Sequence, residues 1–194
     1  MRIIAGKHRG RRIVPPASLP LRPTLERVRQ SVFDILAHGV GWAGFADAAV
    51  LDVFAGSGAY GLEALSRGAR HACFIDNDAQ ALKAIERNAA VMGESRSVAF
   101  LQLDAAKLPS PPATAGTPAA LAFVDPPYGL GLAQPALMGL AGGWLAPAAL
   151  AVVEVAAREP LAAPPPFSIV DERTVGPARI VFCRLERRLS TSRA

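Results

Sequence analysis

Asp125-Pro126-Pro127-Tyr128 closes the apolar run Leu121-Ala122-Phe123-Val124 and has the composition to act on an amino group attached to an aromatic base. Such a nitrogen is a poor nucleophile, because its lone pair is delocalised into the ring. The Asp125 carboxylate and the Pro126 carbonyl are acceptors for its two N–H bonds, which turns the lone pair toward an electrophile held in line. Two prolines lack N–H donors and stiffen the backbone that carries those acceptors. Tyr128 offers a ring to stack on the base. Asp125 can also take the proton as the nitrogen becomes cationic. The bland alternative is a proline turn that merely ends a strand.

A second constellation precedes it. Gly56-x-Gly58-x-x-Gly61 follows Val50-Leu51-Asp52-Val53-Phe54, and Asp76 stands 20 residues after Gly56. This spacing fits a nucleotide-type ligand, with glycines allowing close backbone approach and the acid accepting from ribose hydroxyls. It serves a nicotinamide cofactor or S-adenosylmethionine equally well. Asp52, inside the strand before the loop, favours an ammonium over a pyrophosphate. Asp104, at the end of the third strand, can reach an adenine amino group. With Asp125 one strand further on, the set points to S-adenosylmethionine and a base. A base inside a duplex cannot meet this geometry, so the target is unpaired or flipped out at a cost of a few kcal/mol.

These residues need elements to hold them. Apolar runs at 50–54, 72–75, 98–103, 121–124 and 150–155 read as five strands, with helices after the glycine loop and over 82–92. Such alternation predicts a parallel sheet covered on both faces, with ligands bound beyond the carboxyl ends of its strands. Phe167–Val170 and Ile180–Cys183 flank Gly176-Pro177 and predict an antiparallel hairpin at the sheet edge. That is the α/β plan of the Rossmann-like class I methyltransferases. Leu25, Val28, Val32 and Ile35 recur at helical spacing after Thr24, a suitable N-cap.

At 194 residues with 51% hydrophobic composition, the chain suits one folded domain and excludes disorder. Two cysteines in apolar runs, Cys73 and Cys183, read as buried thiols of a reducing compartment. Residues 126–153 carry no charge, yet their prolines and glycines argue for a buried helix and strand rather than a membrane span. No charged-then-apolar leader opens the chain, and the expectation is a cytoplasmic protein. His8, His38 and His71 have no ligand-like spacing, so no metal is expected; His8 is expected to meet phosphate or solvent, and Trp144, Met92 and Met138 to pack as core.

The net charge of +5 is unevenly spread: residues 1–30 carry +7 and the remaining 164 carry −2. Two strand-like runs, Arg2–Ala5 and Arg11–Val14, flank Gly6-Lys7-His8-Arg9-Gly10, which predicts a small basic β-hairpin. Residues 1–23 are therefore read as a hairpin arm and linker, and 24–194 as the catalytic domain. Arg2, Lys7, Arg9, Arg11, Arg12 and Arg22 are the expected RNA contacts, with affinity falling as salt rises. A solvated basic tail is the alternative.

The sequence resembles the bacterial 16S ribosomal RNA guanine-N2-methyltransferases of the RsmD type over nearly its whole length. The resemblance is carried by Arg2-Ile3-Ile4-Ala5-Gly6 with Arg9-Gly10-Arg11, Leu21-Arg22-Pro23-Thr24 with Arg27-Val28-Arg29, Leu51 to Gly58 with Gly61 to Ala69, and Phe123 to Tyr128. It implies methylation of one guanine N2 within an assembled or assembling small ribosomal subunit. A monomer is the default expectation for a reader of a large RNA surface. By position, the resemblance implies that Asp52, Phe54, Gly56, Gly58, Asp76, Asn77, Asp104 and Ala105 bind S-adenosylmethionine, while Asp125, Pro126, Pro127 and Tyr128 hold the guanine. The sequence departs from the family in having Asp76 where Glu is common, and in a proline-rich insertion at 109–118. Three other readings compete: an adenine-N6 methyltransferase, which the Asp125 motif alone permits, a nicotinamide dehydrogenase, and a non-catalytic RNA-binding assembly factor.

Overall fold

The computed structural model describes residues 1–17 and 24–186. Arg22, one of the expected RNA contacts, lies outside the described residues. The elements run α1 (Thr24–His38), β1 (Ala49–Val53), α2 (Ala59–Ser66), β2 (His71–Asp76), α3 (Ala79–Met92), β3 (Val98–Gln102), β4 (Ala119–Val124), α4 (Ala133–Leu140), β5 (Leu145–Ala156), β6 (Phe167–Val175) and β7 (Ala178–Leu185). They build one seven-stranded sheet in the order β3-β2-β1-β4-β5-β7-β6. The first five strands are parallel, and β7 pairs antiparallel with both β5 and β6.

Every residue of β1 is buried, as expected of a strand covered on both faces. Alternation then sorts its side chains: Val50 packs with α1, α2 and α3, whereas Leu51 and Val53 pack with α4. Asp52 shares the face of Val50. Chain order reverses between β1 and β4, where Asp52 stands level with Phe123. The crevice that ligands use in such sheets therefore opens above these two strands.

The basic hairpin forms, with Arg2 bridging Arg12, and Ile3 and Ile13 join the same core as α1, α2 and α3. A buried acid fastens it. Glu63 of α2 accepts from the Ile4 amide at 2.7 Å, the Ala5 amide at 2.9 Å and Arg67 Nε at 2.8 Å. The Lys7 amide donates to the Ser66 carbonyl at 2.8 Å. Gly6 lies so close that a Cβ there would stand 1.9 Å from the Ser66 carbonyl oxygen, at a φ of +81°. Only glycine allows this approach.

Several expectations need correction. His8 Nε2 lies 2.7 Å from Glu94 Oε1 rather than in solvent, and Lys7 Nζ lies 2.7 Å from the same oxygen. Burial pushes the Glu94 carboxyl up, but the Lys7 and His8 bonds outweigh it and leave the group below its ordinary value. Met138 is exposed, because α4 buries Ala133, Ala136, Leu137 and Leu140, an i, i+3, i+4, i+7 stripe that leaves Met138 outside. Helix α3 begins at Ala79, where Asp78 caps it by accepting from the Gln80 amide at 2.7 Å. Met92 and Trp144 are buried, and Trp144 Nε1 donates to the Pro109 carbonyl at 2.7 Å, which pins the proline-rich segment. Cys73 and Cys183 are free and buried on the α4 face, and burial pushes both thiols up to about 12. No helix among the described residues is long and apolar enough to cross a membrane.

Glu63→Ala leaves two hairpin amides and Arg67 without their acceptor. Urea unfolding is expected to show a loss of about 3 kcal/mol, whereas Arg9→Ala, at an exposed position, should change stability by less than about 0.5 kcal/mol.

Candidate active site

A cleft of about 720 Å³ opens at the carboxyl edge of the sheet, a size usual for a small-molecule site. Its β1 side contains Asp52, Phe54 and Gly56; its β2 and β3 side contains Asp76, Asn77, Asp104 and Ala105. Asp125, Pro126, Pro127 and Tyr128 line the same cleft from the end of β4. Gly58 does not line it, but forms the left-handed N-cap of α2 with φ 71°.

The acids are held by backbone amides. Asp52, 1% exposed, accepts from the Gly61 amide at 2.8 Å. Burial pushes its carboxyl up to about 7, against the lowering effect of the Gly61 bond. Asp76 accepts from the Gly56 amide at 2.8 Å and the Asp78 amide at 2.9 Å, so β2 and the glycine loop are tied together. Asp104 caps a short 3-10 turn, Ala105–Lys107, accepting from the Ala106 amide at 3.0 Å. Phe54 enters the loop at φ 59°, a left-handed conformation that a non-glycine side chain adopts at a cost of about 1–2 kcal/mol.

On the β4 side, the Asp125 amide donates to the Val53 carbonyl at 3.2 Å. Val124 pairs with Val153, so the next residues along, Asp125 and Glu154, stand side by side. Glu154, 3% exposed, accepts from Tyr128 Oη at 2.6 Å and from Tyr60 Oη at 3.0 Å. The Tyr60 ring stacks on Phe123 at 4.9 Å between centroids. Burial, then the charge of Glu154, pushes the Tyr60 hydroxyl well above its ordinary value.

Tyr60, Glu154 and Arg29 line this cleft and were not singled out by the sequence reading. Glu154 carries the signal that marked Asp52, a lone acid inside an apolar strand. Arg29 stands four and seven residues before Phe33 and Leu36, on the buried stripe of α1, although the sequence offers it only as part of the basic opening and of the Arg27-Val28-Arg29 motif, with no site role. Met1 and Pro15 also line the cleft, which makes the hairpin one of its walls. Five of the expected RNA contacts, Arg2, Lys7, Arg9, Arg11 and Arg12, lie on that hairpin. Arg2 donates to the Gly10 carbonyl at 2.9 Å and Arg11 to the Val91 carbonyl at 2.6 Å, and Lys7 is paired with Glu94. Arg9 and Arg12 are exposed and make no side-chain hydrogen bond or ion pair with the described residues. Among the described residues, no group of three or more His, Cys, Asp or Glu side chains is arranged to hold a metal ion.

The strand order, the terminal antiparallel pair and the acid-lined cleft at the β1–β4 switch define a class I methyltransferase, the fold class that uses S-adenosylmethionine. The chain belongs to the family described as Conserved hypothetical protein 95, whose model matches residues 1–184. Ribosomal RNA small subunit methyltransferase D of Escherichia coli strain K12 is 40% identical over 162 residues, spanning 79% of this chain and 74% of that protein. The solved structure of the putative methyltransferase yhhF from Escherichia coli superposes with a TM-score of 0.79 at 34% identity, covering 97% of this chain and 99% of that one. An RNA methyltransferase from Salinibacter ruber, solved in complex with S-adenosyl-L-homocysteine, shares the fold at a TM-score of 0.59 and 14% identity, covering 89% and 97%.

Asp52 gives the site a pH signature. Its carboxyl titrates at about 7 in the folded chain, against about 4 in an unfolded one. Between those values the folded chain retains a proton that the unfolded chain has released. The contribution of Asp52 to stability therefore falls as pH climbs through this window and levels off above it. Asp52→Asn removes the titration and keeps an acceptor for Gly61. Its melting temperature relative to the parent is expected to rise between about pH 5 and about pH 8; parallel melting curves across that range would contradict the shift.

Proposed function

We propose that this methyltransferase transfers the methyl group of S-adenosylmethionine to the exocyclic N2 of one guanine in 16S ribosomal RNA. The observation that carries the reading is that the glycine loop and Asp125-Pro126-Pro127-Tyr128 line one cleft. The residues suit the cofactor. Asp76 offers acceptors for ribose hydroxyls, Asn77, Asp104 and Ala105 flank an adenine, Phe54, Gly56 and Gly58 supply the backbone turn, and Asp52 accepts from the ammonium. When bound, the cofactor supplies an electrophilic methyl group on a sulfonium.

The chain's own work lies on the β4 side. Asp125 Oδ and the Pro126 carbonyl accept the two N–H bonds of the guanine amino group, which orients its lone pair for in-line attack. Asp125 then takes the surplus proton. Tyr128 stacks on the base, and its bond to Glu154 restricts the ring. Pro126, buried at the end of β4, gives the cleft an apolar wall beside Asp125. The substrate assignment draws on the name of the E. coli relative and on the exposed guanidinium groups of Arg9 and Arg12, which suit phosphate oxygens of an RNA surface. The small subunit, assembled or assembling, is the proposed partner, and the enzyme acts as a monomer in the cytoplasm.

Labelled S-adenosylmethionine incubated with unmodified small subunits, followed by nucleoside analysis, is expected to give N2-methylguanosine at one position. N6-methyladenosine instead would move the target to adenine and retain the Asp125 chemistry. Asp125→Ala is expected to lower transfer by at least about 100-fold with cofactor affinity kept within about threefold; equal loss of both would end the division of roles. Replacing Arg9 and Arg12 by Glu is expected to weaken RNA binding and reduce its log–log salt slope by about 2. An unchanged slope would show that the two guanidinium groups are only solvated.

A further inference from the structure

Glu154 is a buried acid of the cleft that the chemistry above uses only to restrict Tyr128. It is 3% exposed, and its hydrogen-bond donors are two neutral hydroxyls, Tyr128 on Oε1 and Tyr60 on Oε2. No salt bridge among the described residues involves it. Each carboxylate oxygen has two lone pairs, so one remains on each after the tyrosines have donated. A buried carboxylate without a cation favours a further donor.

The register of the sheet sets where that donor comes from. Phe123 pairs with Val152, and both face the core layer of α1 and α2. Side chains alternate along a strand, so Asp125 and Glu154, two residues further on, share that face on neighbouring strands. The Tyr60 hydroxyl feels the charge of both. A base whose amino group is held by Asp125 presents the next atom of its edge to Glu154. In adenine and cytosine, the ring nitrogen beside the amino group carries a lone pair. Guanine alone among the RNA bases has a ring N–H beside its amino group, at N1, and so alone offers a donor there.

We infer that Glu154 is the residue that selects guanine: its carboxylate accepts the N1–H while Asp125 and the Pro126 carbonyl hold the adjoining N2 amino group. The inference rests on the base-methylation reading above and gives β5 the specificity role within it. Adenine or cytosine in the same pose would set a ring lone pair against a buried carboxylate, a repulsive contact with no water to relieve it. Tyr60 and Tyr128, one hydroxyl on each oxygen, keep the acceptor from turning away.

The analogue 2-aminopurine separates this role from a merely structural one, because it keeps the amino group of guanine but has an unprotonated N1. Small subunits are reconstituted from ribosomal RNA ligated in segments, with guanine or 2-aminopurine at the position that the parent enzyme methylates. The parent chain is expected to favour guanine by at least about 100-fold in kcat/KM. Glu154→Gln, which can present an amide donor as well as an acceptor, is expected to shrink that preference to less than about tenfold. A parent chain that methylates both bases within about threefold would overturn the assignment, whether or not the variant folds. So would a variant whose two activities fall together with the preference unchanged, the mark of a residue that only holds Tyr128. No transfer by the parent chain to the guanine-containing subunit would instead overturn the function on which the assignment rests.

Discussion

A carboxyl group without access to water sits in the middle of the sheet, and the cleft is built around it. Burying an acid is unfavourable unless its oxygens find donors. Asp52 finds one in the Gly61 amide, which reaches it because α2 lies unusually close to β1 and β2. A Cβ on Gly61 would meet Phe74 at 2.4 Å, so any side chain at that position would push the helix away and strip the acid of its donor. The same closeness directs the glycine loop over the strand ends. The geometry of the loop, the position of α2 and the ionisation of Asp52 are thus one constraint seen from three sides.

Two further buried acids extend this pattern. Glu63 joins α2 to the hairpin through the Ile4 and Ala5 amides, and Glu154 joins β5 to the tyrosines of α2 and of the β4 turn. Both act as acceptors shared between elements distant in sequence. The result is a continuous mechanical path, from hairpin to α2 to the Asp125 turn, in which each joint is a carboxylate. The proposed RNA contacts on the hairpin and the proposed chemistry at β4 are therefore attached to one helix rather than to separate loops.

Much of the fold was legible because the five parallel strands are short apolar runs, and the acids near their ends were legible because they interrupt those runs. The terminal hairpin announced itself through Gly176-Pro177. Long-range polar contacts were not legible. Glu63 sits in Gly61-Leu62-Glu63-Ala64-Leu65, where helical periodicity alone reads it as solvent-facing, and only the incoming hairpin makes it an internal acceptor. His8 was read from its basic neighbours, whereas Glu94, 86 residues away, decides its surroundings. Arg29 and Glu154 were within reach, since each is a charge placed among buried positions. Counting charge along the opening segment hid the first, and attention to strand-terminal acids hid the second.

The alternation of the sheet also isolates its sulfur chemistry. Asp52 and Glu154 face α1 and α2, while Cys73 and Cys183 point to the opposite layer, packed beneath α4 with no exposed surface. Thiols pushed up to about 12 contain almost no thiolate at neutral pH, and thiolate is the form that reacts. One cysteine lies on β2, in the parallel part of the sheet, and the other on β7, in its antiparallel part. Modification of each by an alkylating reagent must wait for its own strand to open. The molecule therefore carries two internal clocks, one for each part of the sheet, and their relative rates report whether the parallel strands and the antiparallel pair come apart together or in turn.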